Sequence, residues 1–182
     1  MTGKTPEADE VIASERLRLV SMSPAFIEAL LRGHHSRAAE IMGVEVPPEW
    51  PGDLTHMLRL RFDQIRADPS EQQWLARAMV LREDGRTVVG NLGFHGKPDR
   101  RGMVEVGYTV RPQFRRQGFA EEAVRALFDW ASRTHGIRRF RASVSPTNEP
   151  SLSLVRKLGF VQTGEQWDEI DGRELVFELE RT

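Results

Sequence analysis

The chain has 182 residues, of which 39% are hydrophobic, and this length is enough to bury one sizeable core in a single domain. Its 26 basic and 27 acidic residues leave a net charge of −1, so no overall field attracts nucleic acid and we expect no nucleic-acid partner. Because the chain contains no cysteine, a disulfide, a thiolate nucleophile and cysteine-ligated zinc are excluded.

The first residues of the chain are polar and carry no apolar signal-peptide segment. Residues 1–13 therefore predict a flexible tail, followed by one domain over residues 14–182. No stretch approaches the roughly 20 apolar residues of a membrane span, so we expect no membrane partner and a cytoplasmic location.

The segment that follows predicts a strand and two helices. Residues 16–20 alternate apolar and polar side chains, as strands do. Ser23 is a good N-cap for a helix that ends at Gly33. Several prolines then interrupt the chain, and a second helix is expected over residues 53–67, where apolar residues recur at helical spacing.

Two Asp-Gly dipeptides indicate β-hairpins, because this pair favours a two-residue turn. Asp84-Gly85 lies within the strand-like residues 74–94, and Asp171-Gly172 lies within the strand-like residues 161–179. Antiparallel hairpins are thus expected on both sides of the central part of the chain.

A strand, a helix and another strand follow one another between the hairpins. Residues 103–110 alternate apolar and polar side chains, which predicts a strand with one buried face. From Ala120 onward, apolar residues recur at three- and four-residue intervals and predict an amphipathic helix that ends at Gly136. Residues 138–145 alternate again and predict the next strand.

The turn that joins the first of these strands to the helix is basic and contains Gly118. The first N–H groups of a helix have no intrahelical acceptor, and the helix dipole adds positive charge, so an anion is stabilised there. Gly118 lets an anion approach the backbone, and Arg115 and Arg116 offer charge. The turn predicts a phosphate site, with a solvated basic loop as the alternative. Neither the phosphate-loop lysine motif nor the dinucleotide fingerprint is present.

Three blocks of the sequence resemble the GNAT superfamily of N-acetyltransferases. Residues 115–120, with the spacing R-x-x-G-x-A, resemble the family's acetyl-CoA pyrophosphate loop. Residues 148–160 resemble its N-x-x-S helix followed by K-x-G-F. Residues 105–108 resemble the E-[IV]-G-Y of the RimJ/RimL-like branch, which acetylates the N termini of ribosomal proteins.

The resemblance implies an α+β fold in which a central, mostly antiparallel and splayed sheet is flanked by helices. The strands that splay are residues 103–110 and 138–145, and the pantetheine arm of acetyl-CoA hydrogen-bonds the exposed backbone between them. The implied cofactor-binding residues are Tyr108, Thr109 and Val110 for the pantetheine, and Arg115, Arg116, Gln117, Gly118, Phe119 and Ala120 for the pyrophosphate.

The activity that the resemblance implies is direct acetyl transfer from acetyl-CoA to a primary amine, without a metal. The acceptor is a protein N-terminal α-amine or a small-molecule amine. An α-amine with a pKa of about 7.7–8 needs only about 1 kcal/mol for deprotonation at pH 7, whereas a lysine near about 10.4 needs about 4–5 kcal/mol. Glu105 is the candidate base, and its alternative role is that of a solvent-facing strand glutamate or an ion-pair partner. His95 is its rival, and a water relay is the third alternative.

Candidates for assisting the departing thiolate are fewer. The resemblance implies that Ser151 donates to the sulfur, although a serine in the first turn of a helix also fits. Asn148 is expected to cap the helix, to bind the pantetheine, or both. Many superfamily members carry a tyrosine where this chain has Val155, and this departure keeps open a catalytically silent acyl-CoA-binding regulator.

Other features of the sequence carry less weight. The five histidines show no paired ligand spacing, so we expect no metal site. Trp50 lies among prolines in the region where the family builds its acceptor pocket, and we expect it to line that pocket or to pack the loop. A nucleotide-binding module of another class is a further alternative. The resembling branch often dimerises, so a homodimer is one expectation.

Overall fold

The computed structural model describes residues 11–170 and 172–181. The strands in chain order are β1 Ile12–Ala13, β2 Leu17–Ser21, β3 Arg77–Leu81, β4 Val88–Phe94, β5 Met103–Val110, β6 Arg139–Val144, β7 Val161–Asp168 and β8 Gly172–Glu180. The helices are α1 Pro24–Leu31, α2 His35–Met42, α3 Thr55–Ala67, α4 Phe119–His135 and α5 Glu149–Lys157. Short 3-10 helices cover Gly52–Leu54, Pro69–Glu71 and Pro112–Phe114.

The described strands form one eight-stranded sheet in the order β1-β2-β3-β4-β5-β6-β8-β7. Every neighbouring pair is antiparallel except β5 and β6, which are parallel. Helices pack on both faces of this sheet, so the expected α+β architecture with a mostly antiparallel sheet is confirmed.

The parallel pair separates along its length. Residues Met103–Glu105 of β5 pair with Arg139–Arg141 of β6, and the pairing stops there. Each strand stays paired on its other side, since β5 continues along β4 as far as Val110 and β6 continues along β8 as far as Val144. A gap therefore opens beyond Glu105 within an otherwise continuous sheet, as the splayed sheet of the resemblance requires.

The two faces of the sheet are covered unequally. One core joins the sheet to α4 and α5 and includes the stacked rings of Phe128 and Phe140, whose centroids are 4.0 Å apart. The second core lies under α1, α2 and α3. Among the described residues, its buried members run in chain order from Met22 to Val88 and include none from β5 or β6. The helices of the second core thus leave the face that carries Glu105 accessible at β5 and β6.

The structure bears on the predicted start of the first helix and on the predicted end of the N-terminal tail. Ser23 caps α1, since its Oγ accepts the N–H of Phe26 at 3.2 Å. Residues 1–10 of the predicted tail lie outside the described residues, as does Asp171 of the second predicted hairpin turn. The predicted tail boundary at residue 13 is too late, because Ile12 is 7% exposed and β1 pairs with β2.

Replacing Phe128 with alanine is expected to lower the free energy of unfolding by about 3–5 kcal/mol, because it removes a fully buried ring and leaves a cavity. Chemical denaturation monitored by circular dichroism measures this change. Replacing Leu60, which is 47% exposed, with alanine is the control, and its free energy of unfolding is expected to change by no more than about 0.5 kcal/mol. Equal losses in the two variants would contradict the assignment of the core.

Candidate active site

The turn between β5 and α4 has the geometry of an anion site. Gly118 is the N-cap of α4 with a φ of 82°, and Arg116 has a φ of 61°, so two residues of the loop are left-handed. The first main-chain hydrogen bond of α4 runs from Glu122 N–H to the Gly118 carbonyl at 3.1 Å. The amides of residues 119–121 precede it and have no intrahelical acceptor, so they are available to an anion.

The reason for a glycine at position 118 is mainly conformational. A Cβ there would meet only the Nη2 atom of Arg16, at 3.4 Å, so space is available for a small side chain. A residue with a side chain would adopt this left-handed φ only with a strain of about 1–2 kcal/mol. The sequence argument for Gly118 was access to the backbone, and the structure adds the helix-start geometry.

A brace from β2 holds this loop, and the sequence reasoning missed it. Arg16 Nε donates to Glu122 Oε2 at 2.7 Å, and its Nη1 donates to the Gln117 carbonyl at 3.0 Å. The guanidinium carbon lies 4.4 Å from the centroid of the Phe119 ring, which is a cation–π contact. Arg16 thereby fixes both the loop and the first turn of α4.

Glu122 is the acceptor at the centre of the brace. Its Oε1 accepts from Ser14 Oγ at 2.7 Å and from the Arg16 main-chain N–H at 2.6 Å. Burial raises the pKa of Glu122, but the hydrogen bonds from Arg16 and Ser14 outweigh it and hold the pKa below the usual value. The carboxylate therefore stays ionised at neutral pH and neutralises Arg16.

Two predicted cations of the loop keep their charge available. Arg115 Nε donates to the Val110 carbonyl at 2.9 Å, which ties the loop back to the end of β5. Within the described residues, neither Arg115 nor Arg116 forms an ion pair. Of the other predicted loop residues, Gln117 donates through its side chain to the Gln113 carbonyl. Phe119 is 6% exposed, and Ala120 lies in the first turn of α4.

Glu105 lies where β5 and β6 separate, and it belongs to a polar cluster. Ser143 Oγ of β6 donates to Glu105 Oε1 at 2.6 Å, and Gln166 Nε2 of β7 donates to Ser143 Oγ at 3.1 Å. The Glu105 side chain is 22% exposed, so it is neither buried nor fully solvated. The predicted base and the mouth of the gap therefore coincide.

The rival base, His95, lies beside Glu105. Its Nδ1 is 3.9 Å from Glu105 Oε1, and a Cβ on Gly107 would meet its Nε2 at 2.8 Å, so the imidazole lies over that glycine. Burial and the charge of Arg61 lower the pKa of His95, and the carboxylates of Glu105 and Asp168 oppose the shift without overcoming it. A lowered pKa keeps the imidazole neutral at pH 7 and able to accept a proton.

The start of α5 shows what Asn148 and Ser151 do. Asn148 Oδ1 accepts the main-chain N–H of Ser151 at 3.2 Å, so Asn148 is the N-cap of α5. Ser151 contributes its amide to the cap, which leaves its hydroxyl for another partner. Val155 is 2% exposed within the core, and it is an apolar packing residue.

A cavity of about 330 Å³ lies beside the loop. It is lined by the Trp50 loop, by Asn91 of β4 and by Thr109 and Val110 of β5, and Arg115 reaches its edge. Trp50 lines this cavity, is 5% exposed and also packs in the second core, while its contact with an acceptor stays a prediction. Arg111 Nε donates to Glu49 Oε1 at 2.6 Å at the rim, and this bond lowers the pKa of Glu49.

Two further findings concern the part of the chain that the structure describes. No three acidic or histidine side chains there are grouped as a metal site would require. None of the helices in residues 11–170 and 172–181 has the length and apolar character needed to span a bilayer.

Replacing Glu105 with glutamine is expected to lower the His95 pKa further below its ordinary value of 6.5, because the lost carboxylate charge is one of the influences that raise it. Nuclear magnetic resonance titration of the imidazole measures both values. Glu165→Gln, a change in an exposed pair with Arg173, is the control and should leave His95 unaffected. A wild-type His95 pKa above 6.5 would contradict the lowered pKa.

Comparisons with known proteins agree with this geometry. A sequence model of the Acetyltransferase (GNAT) domain matches residues 16–161. The N-acetyltransferase YjdG of Bacillus subtilis strain 168 is 28% identical over 151 residues, which cover 83% of this chain and 89% of YjdG.

Two solved structures share the fold. RimL, a ribosomal L7/L12 alpha-N-protein acetyltransferase, is in complex with coenzyme A; it aligns with a TM-score of 0.65 and 16% identity over 94% of this chain and 98% of RimL. The microcin C7 self-immunity acetyltransferase MccE, in complex with acetyl-CoA and AMP, aligns with a TM-score of 0.63 and 14% identity over 92% of this chain and 93% of MccE. The resemblance drawn from the sequence is confirmed, and this chain belongs to the GNAT family of acetyl-CoA-dependent N-acetyltransferases.

Proposed function

We propose that this enzyme transfers the acetyl group of acetyl-CoA directly to a primary amine, either a protein N-terminal α-amine or a small-molecule amine. One observation carries the proposal: the gap between β5 and β6 runs from an anion site at the start of α4 to the carboxylate of Glu105. Because the sheet is continuous across both halves of the chain, we also propose that residues 14–182 act as one catalytic domain.

The loop after β5 and the edge of β5 that β6 does not pair support the proposed binding of the co-substrate. Main-chain amides at the start of α4 suit a pyrophosphate, as do Arg115 and Arg116, which form no ion pair with any described residue. The β5 backbone beyond Glu105 has no strand partner on the β6 side, so an extended pantetheine arm can hydrogen-bond it as an added strand would. The proposed binding residues are Tyr108, Thr109, Val110, Arg115, Arg116, Gln117, Gly118, Phe119, Ala120, Asn148 and Ser151.

Glu105 is the proposed proton acceptor for the amine, and the neutral His95 beside it is the alternative. Deprotonating an α-amine at pH 7 costs only about 1 kcal/mol of free energy. One hydrogen bond to a carboxylate at the mouth of the gap contributes about that much. A lysine amine needs about 4–5 kcal/mol for deprotonation at pH 7, which is more than one hydrogen bond contributes. The cluster thus favours acceptors of low amine pKa.

The acceptor is proposed to enter on the face that carries Glu105, where α1, α2 and α3 leave β5 and β6 uncovered. RimL is a ribosomal L7/L12 alpha-N-protein acetyltransferase, which supports a protein α-amine as one acceptor class, and MccE is a microcin C7 self-immunity acetyltransferase, so the fold serves more than one role. The cavity beside Trp50 supports a pocket of modest size for the part of the acceptor that does not react.

A panel of small amines and N-terminal peptides, incubated with acetyl-CoA while free thiol is measured, tests the function. Release of thiol that depends on the amine is expected, with α-amines preferred to lysine amines. Glu105→Gln is expected to lower kcat by about 10²–10⁴-fold and to change the pH–rate profile. Glu165→Gln is the matched control on an exposed strand. Coenzyme A binding without transfer to any amine would instead support the silent regulator.

The brace at Arg16 predicts a second effect. Arg16→Ala is expected to weaken coenzyme A binding about tenfold, because residues 117–122 lose the charge-assisted hydrogen bonds that hold the anion site in shape. Calorimetry measures the affinity. Arg32→Ala, which removes an exposed pair with Glu28 on α1, is the matched control and should bind as the wild type does. Unchanged affinity in Arg16→Ala would show that the loop holds its shape without the brace.

A further inference from the structure

The hydroxyl of Tyr108, the one tyrosine of the chain, is in an unusual position. Its Oη is buried and has no hydrogen-bond partner of acceptable geometry among residues 11–170 and 172–181. Leaving such a group unpartnered costs about 1–3 kcal/mol, and native proteins contain few of them. The position therefore calls for a polar neighbour that can become its partner.

The location of Tyr108 identifies that partner. Tyr108 follows Glu105 by three positions on β5, in the part of the strand that β6 no longer pairs. Its side chain lies on the opposite face from Glu105 and packs against the core under α4 and α5. Ser151, in the first turn of α5, is the neighbour whose side chain acts on the Tyr108 hydroxyl.

The Ser151 hydroxyl is free to take part in such a contact. The cap of α5 uses the main-chain N–H of Ser151 and the side chain of Asn148, so the capping bond does not involve Ser151 Oγ. Leu152 and Val155 anchor the helix in the core, being 3% and 2% exposed, so the position of Ser151 in the first turn of α5 is fixed. The Ser151 side chain influences the Tyr108 hydroxyl, yet the two hydroxyls form no hydrogen bond of acceptable geometry among the described residues.

We propose that Tyr108 is a positioning residue for acetyl transfer, whose buried hydroxyl donates to Ser151 Oγ and so directs the Ser151 O–H toward the sulfur that leaves the acetyl group. This inference rests on the proposed function. In the transfer, the new carbon–nitrogen bond forms as the carbon–sulfur bond breaks, the bonding pair goes to sulfur, and the amine proton goes to Glu105. Tyr108 and Ser151 keep their protons and contribute hydrogen bonds only.

The acidity of Tyr108 agrees with that division of roles. Burial raises the pKa of its hydroxyl above the ordinary value of 10.0, and the nearby Ser151 only partly opposes this shift. Thiols titrate near about 8.5, so a full proton transfer from tyrosine to thiolate is uphill. A neutral hydroxyl that donates a hydrogen bond is the form present throughout the working pH range.

The test uses the whole protein with coenzyme A bound and follows the thiolate by its ultraviolet absorbance as pH is raised. The bound thiol of the wild type is expected to titrate below the free thiol. Tyr108→Phe and Ser151→Ala are each expected to raise the bound thiol's pKa by about one pH unit. The double variant is expected to show the shift of Ser151→Ala alone, because the two residues act in series.

A matched control removes another buried hydroxyl without a partner. Ser21→Ala on β2 takes away such a group far from α5, and the titration of bound thiol should match the wild type. Thermal unfolding separates positioning from a structural role, since loss of an unpartnered hydroxyl in Tyr108→Phe should not lower the unfolding midpoint.

The outcomes decide between the claims. If coenzyme A binds and Tyr108→Phe leaves the bound thiol's pKa unchanged, the positioning role is wrong while the proposed function stands. Additive shifts in the double variant would also overturn it, because Tyr108 would then contact the sulfur independently. If the wild type does not bind coenzyme A, it is the proposed function that fails.

Discussion

The separation of β5 from β6 beyond Glu105 is the constraint on which the rest of this structure depends. Backbone N–H and C=O groups require partners, and a strand that loses its neighbour within a sheet exposes a row of them. Here the loss is confined to one edge, because β5 stays paired with β4 and β6 stays paired with β8. The gap is therefore held open by intact ladders on either side.

The unequal covering of the sheet gives the gap two distinct sides. On one side, α4 and α5 bury an aromatic core against which Tyr108 packs, and α4 begins at the loop that follows β5. On the other side, the Glu105 and His95 side chains lie 3.9 Å apart and are partly exposed, next to Arg61 of α3, which donates to the His95 carbonyl at 2.9 Å. A donor and an acceptor can thus approach the same point from opposite sides, which suits direct transfer between them.

Much of the fold was predictable because its signals are local. The period-2 pattern of residues 103–110 gave the bounds of β5, and Ser23 and Gly136 marked one helix start and one helix end. The loop at residues 115–120 was found because its basic residues and glycine are adjacent in the chain. The helix α2 was missed, since Ala38 is its one fully buried residue and leaves no clear apolar stripe.

The sequence by itself determined most of the elements, their approximate bounds and the family, since these depend on backbone preferences, apolar spacing and motifs over a few residues. The tertiary structure alone decided which distant groups meet. Arg16 and Glu122 are 106 positions apart, and Glu105 and Ser143 are 38 apart. Likewise, the imidazole of His95 lies over Gly107 because β4 and β5 are neighbours. These contacts follow from strand order and register, and periodicity along a single segment contains no information about which strand lies beside it.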